Sequence, residues 1–155
     1  MNIDQRNTVV SIGLLVIIIG LTYWLYHTIT SPWEEVQRDR EITEQVRHRM
    51  ANIRDALRFY ERDNDKFPET LDTLVVWLNT DSLMVAARDS LFKERPSSRS
   101  FIPDSLVYSP RTGNQFTYEL NDTLRPNIYL LRDPDSNDRI GSLERTTLRH
   151  AASWE

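Results

Sequence analysis

Chemistry is most legible in a twelve-residue run near the C-terminus, D-P-D-S-N-D-R-I-G-S-L-E, from Asp133 to Glu144. A calcium loop of the EF-hand type needs side-chain oxygens at positions 1, 3, 5 and 12 and a backbone carbonyl at position 7. Asp133, Asp135, Asn137 and Glu144 fill the side-chain positions, Arg139 offers the carbonyl, and Ile140 takes the apolar position after it. Position 6, where that loop uses Gly for its backbone angle, holds Asp138, a residue that enters the left-handed region more readily than most. The residues before the run alternate like a strand, whereas an EF-hand loop follows a helix. A solvated acidic turn is the competing reading. No other cofactor is expected.

The remaining reactive residue types form no recognisable constellation. There is no cysteine, so thiolate metal sites, cysteine nucleophiles and disulfides are excluded. His27, His48 and His150 lie far apart and show no zinc spacing. A histidine inside a membrane helix can ligate a tetrapyrrole, but His27 sits at the end of an apolar run beside Trp24 and reads as an interfacial residue. His48 and His150 read as surface residues. Four glycines, Gly13, Gly20, Gly113 and Gly141, cannot build a glycine-rich phosphate cradle, and no nucleophile elbow or dinucleotide fingerprint occurs. The chain is not expected to be an enzyme. Its net charge of −4 argues against nucleic acid as a partner.

The element that must place everything else is the run from Val9 to Ile29, which contains no Asp, Glu, Lys or Arg. About 20 apolar residues in a helix cross a bilayer core of about 30 Å. Tyr23, Trp24, Tyr26, His27 and Trp33 gather at its C-terminal end, as amphipathic rings do at a membrane–water interface. Ser11, Gly13 and Gly20 supply small residues at which a second helix could pack closely. The start, M-N-I-D-Q-R-N, is nearly neutral, and T-I-T-S-P lacks a small-residue cleavage site, so the span reads as a retained anchor rather than a signal peptide.

Residues 1–8 then form a short tail, 9–29 a transmembrane helix, and 31–62 a helical stem. Ser31, Pro32 and Glu34 mark the stem's start as a capping box with Pro at the first position. Val36, Val46, Met50, Ile53, Leu57 and Tyr60 draw an apolar stripe along it, opposite a charged face of Arg47, Arg49, Arg54, Arg58 and Glu61. Packing of the stem on its own domain and a coiled-coil seam with a partner both fit that stripe. Asp63, Asn64, Asp65 and Pro68 end it. A small α+β domain is expected at 63–145. It has two short amphipathic helices, the second turning Leu83, Met84, Ala87, Leu91 and Phe92 inward. A polar loop at 95–100 follows, and then an antiparallel meander of S-L-V-Y-S, Q-F-T-Y-E-L and N-I-Y-L-L-R. The polar tail at 146–155 is expected to be loosely held.

Two stretches carry a family resemblance. A-L-R-F-Y-E-R-D-N-D-K-F-P-E-T-L places Ala56, Leu57, Tyr60, Asp63, Asn64, Phe67 and Pro68 where type IV pilin-like proteins carry the end of their long N-terminal helix. S-P-R-T-G-N-Q-F-T-Y-E is similar to a hairpin of the major pseudopilins of type II secretion. The resemblance, covering about Val46 to Gly141, implies a pilin-like α+β fold facing the periplasm or exterior of a bacterial cell membrane. Major pseudopilins carry a calcium site in their C-terminal loops, which bears on the acidic run. The chain lacks the Gly-aromatic processing site and the Glu within the apolar run on which filament assembly depends. Counting Arg6 against Arg38 and Arg40 points weakly the other way, to a cytoplasmic domain, and the resemblance outweighs it. The expected partners are the lipid bilayer and other membrane protein subunits. The expected role is a non-catalytic structural or accessory subunit. A pseudopilin or minor pilin is the alternative, and a tethered calcium- or ligand-binding module the third reading.

Overall fold

The computed structural model describes residues 3–92 and 101–155, with the side chains of 3–6 and 29–32 excepted. The expected loop at 95–100 and the Ser31–Pro32 cap therefore lie outside the described residues. The chain divides into two compact units, Met1–Glu41 and Ile42–Glu155.

The first unit is helix throughout its described backbone, part of a single helix α1 assigned over Ile3–Asn64. No second helix begins at Ser31, and helix starts well before Val9. From Val9 to Tyr26 every large apolar side chain is at least 55% exposed. Thr22 and Thr28 turn their hydroxyls back to the carbonyls of Ile18 and Trp24, both at 2.8 Å, which hides two polar groups along an apolar surface. By length and composition this helix is able to cross a membrane.

The second unit is mixed α and β. The C-terminal half of α1 buries the expected stripe, Val46, Met50, Ile53, Leu57 and Tyr60 together with Ala56, while Val36, in the other unit, is exposed. Two short helices follow, α2 (Leu71–Thr80) and α3 (Ser82–Leu91). Thr70 caps α2 by accepting from the Thr73 N–H, and Asp81 caps α3 by accepting from Leu83 and Met84. Leu71, Leu74 and Leu78 face the core from α2, and Met84 and Phe92 from the α3 segment. Leu83 and Leu91, expected inside, are exposed at 73% and 42%: ten residues with one buried side chain need only a narrow seam.

Three antiparallel strands form a sheet in the order β1 (Thr117–Asn121), β2 (Ile128–Arg132), β3 (Arg139–Gly141). Tyr118 pairs with Leu131, and Leu131 pairs in turn with Ile140. The stretch S-L-V-Y-S, expected as a strand, instead closes a one-turn helix α4 (Pro103–Leu106) and leaves a single bridge, Tyr108 to Gln115. Pro103 at the helix start and the Arg49 guanidinium, which donates to the carbonyls of Ser105 and Tyr108 at 3.1 and 2.8 Å, favour the turn over a ladder. The third strand comes instead from inside the acidic run. Tyr129 and Leu131 of β2 join Phe67, Phe116 and Ile140 in one core with the α1 stripe.

The C-terminal segment is pinned, contrary to the loose tail expected. The Ser153 N–H donates to the Arg139 carbonyl at 2.9 Å, Gly141 donates to Ala151 at 2.9 Å, and Ala152 bridges Ile140. Gly141 sits at φ +89°, and a Cβ there would run into the Tyr129 carbonyl oxygen, so the close approach of this segment to β2 requires glycine. Arg47 lies over the Trp154 ring at 5.3 Å, and Arg54 pairs with Glu155 at 3.0 Å.

Candidate functional site

The acidic run is divided by the sheet. Asp133 stands just after β2, and its N–H donates to the Asp138 carbonyl at 3.0 Å, closing the loop that leads into β3. Its side chain is buried, at 3% exposure, and neither carboxylate oxygen has a hydrogen-bond partner. A buried carboxylate without donors is costly, because it forfeits hydration and receives nothing in return. Asp135 is exposed and faces the 109–114 turn, accepting from the Thr112 hydroxyl and from Asn114 Nδ2 at 3.2 Å. Asn137 is exposed.

The later positions serve other purposes. Asp138 receives both Nε and a terminal nitrogen of Arg47, at 2.8 and 3.1 Å, a bidentate pair that raises the guanidinium pKa further. Arg139 belongs to β3, and its carbonyl already accepts from Ser153. Glu144 is exposed, its N–H donating to the Ser142 hydroxyl at 3.2 Å. Among the described residues no three His, Asp or Glu side chains gather as a metal ion would require. Asp133 by itself offers a cation a buried carboxylate without donors; the twelve-residue spacing as a whole is not folded around a common centre.

Along the first unit, Gly13 and Gly20 face open space, with no atom within 4 Å of a Cβ built at either. Ser11, Tyr23, Trp24, Tyr26, His27 and Trp33 are all exposed, and the Tyr23 and His27 rings lie 6.5 Å apart.

One cluster carries no signal in the sequence. His150, expected on the surface, is half-buried; its Nδ1 lies 3.1 Å from the hydroxyl of the fully buried Tyr129, and its ring leans on Phe67 at 6.1 Å. Burial first, and then the positive charges of Arg149, Arg58 and Arg54, push its pKa down to about 4. Tyr129 and Tyr118, stacked 6.0 Å apart, both have phenol pKa values raised chiefly by burial. Tyr118 donates to the Pro68 carbonyl at 2.9 Å. No sequence spacing links residues 58, 129 and 150; the sheet and the pinned C-terminal segment bring them together.

No protein-family model, curated protein or solved structure matches this chain.

Proposed function

We propose that this protein is a non-catalytic, single-pass subunit of a larger bacterial membrane assembly, structural or accessory in role, with a pilin-like domain on the periplasmic or extracellular side. The observation that carries this reading is the stretch from Val9 to Tyr26, a helix whose large apolar side chains are exposed along its whole length. Burying apolar surface contributes about 25 cal/mol per Å², so such a surface belongs in lipid or against other membrane helices. Solubilisation in mild detergent followed by size analysis tests the assembly. The protein should travel in a complex well above its own 18.3 kDa; a lone monomer in every detergent would overturn the reading. The chain has no cysteine, so a single cysteine placed at Ser142 is the sole thiol. Its labelling by a membrane-impermeant reagent on intact cells tests the side.

A second reading, a calcium-binding loop in that domain, is favoured by the unpartnered, buried Asp133 carboxylate. A bound divalent cation would supply the missing positive charge there. Calorimetric titration with calcium tests it: absence of both heat and a thermal shift would exclude it.

A further inference from the structure

The loop that joins β1 to β2 opens on a triplet that neither reading uses. Asn121, Asp122 and Thr123 form N-D-T, the chain's single Asn-x-Ser/Thr sequence. With no proline at the middle position, that spacing is the acceptor of N-linked glycosylation, which needs an accessible loop on a protein outside the cytoplasm. A triplet this short recurs by chance; its place in the fold distinguishes it.

β1 is an outer strand of the sheet, and Asn121 is its last residue, paired with Ile128 across the hairpin. Asn121 is half-buried, and Asp122, Thr123, Arg125 and Pro126 after it are exposed. The acceptor therefore stands where paired backbone gives way to a solvated loop. Thr123 fixes its carboxamide from one side: the hydroxyl donates to Asn121 Oδ1 at 2.6 Å and the N–H donates to the same oxygen at 3.1 Å. On the other side Nδ2 donates to the Leu143 carbonyl at 2.9 Å. An amide nitrogen carries two hydrogens, and the second meets no acceptor among the described residues. Glycosylation replaces one N–H and leaves the other, so the bond to Leu143 survives the modification. Glu119, 47% exposed, stands two residues earlier on the same face of the strand and adds a carboxylate by which a transferase can register it.

We propose that Asn121 is an N-glycosylation acceptor, taking an oligosaccharide from a polyprenyl-pyrophosphate donor. In the transfer an Nδ2–H bond breaks and an Nδ2–C1 bond forms. The C1–O bond to the donor breaks, the polyprenyl pyrophosphate leaves with the electron pair, and the amide proton passes to a base of the transferase. The proposal rests on the reading that places the second unit on the periplasmic or extracellular side.

The full chain is purified in detergent from membranes of the cells that naturally make it, and its tryptic peptide 112–132 is sequenced by mass spectrometry. A glycan mass on Asn121 with sugar fragment ions is expected. Thr123→Ser, made in the same cells, should keep it. Thr123→Ala should lose it, although this variant changes an exposed side chain and leaves Asn121 and its bond to Leu143 in place. Peptide 112–132 found only unmodified, or a glycan that survives Thr123→Ala, overturns the proposal. Labelling of Ser142→Cys on the same intact cells separates the two failures. With the thiol labelled, an unmodified Asn121 sinks the acceptor site alone; with the thiol unlabelled, the outward-facing reading falls with it.

Discussion

Two side chains in the second unit are held against their own solvation, Asp133 and His150, and each has a measurable consequence. Asp133 is a buried carboxylate with no donor. Asp133→Asn should therefore stabilise the protein by roughly 1 kcal/mol in calcium-free buffer, followed by thermal melting, and should abolish any calcium-dependent rise in Tm. Destabilisation in calcium-free buffer would show that the carboxylate has a partner and that the calcium reading has lost its support. His150 works through pH. Its folded pKa, about 4, lies below the unfolded value of 6.5, so the unfolded chain takes up the proton first as pH falls. The stability due to its neutral form is fully present above pH 6.5 and is lost progressively down to about pH 4. In His150→Gln, denaturant melts across that window should lose this part of the slope; an unchanged slope would place the imidazole in water. Neither behaviour is legible in the sequence, because Asp133 reads as one oxygen ligand among four in a candidate calcium loop and His150 as a surface residue.

The elements differ in how much each side chain matters, and burial decides it. The stripe on α1 was readable from its three-four spacing, since a helix that faces a core repeats apolar residues at that interval. Leu57, fully buried on that stripe, should cost about 2–5 kcal/mol on replacement by Ala, measured by urea unfolding. Leu83 carries the same side chain on α3 and is 73% exposed, so Leu83→Ala should change stability by less than about 0.5 kcal/mol. Equal losses at the two positions would mean that α3 packs through Leu83 after all. The strands were partly legible. Q-F-T-Y-E-L and N-I-Y-L-L-R became β1 and β2, with β1 shifted by a residue or two at its ends and β2 beginning one residue later; β2 is buried from Ile128 to Leu131 rather than on alternate residues. S-L-V-Y-S alternates, yet Pro103 and the Arg49 contacts make its first half a helical turn. The third strand is too short at Arg139–Gly141 to announce itself by period, and it exists because the C-terminal segment pairs with it from one side and β2 from the other.

At the scale of the whole molecule, the membrane reading rests on the first unit and the candidate sites rest on the second. Gly13 and Gly20 open a surface where a Cβ would meet nothing within this chain. If another helix packs there, Gly13→Leu with Gly20→Leu should reduce copurifying partners while the protein stays in the membrane fraction, because close approach of two backbones needs small residues. Retention of every partner would move the contact elsewhere. The sequence by itself determined the long apolar helix, the amphipathic stripe, the two short helices and two of three strands, since these follow from local period and composition. Only the tertiary structure decided which polar groups became chemically distinct. It divided the acidic run between a loop and a strand and committed Asp138 to Arg47. It buried Asp133 without a donor and set His150 between Tyr129 and three arginines. Solvation and charge depend on what surrounds a side chain in space, and residues 58, 129, 133 and 150 acquire their surroundings only when the sheet closes and the C-terminal segment docks on it.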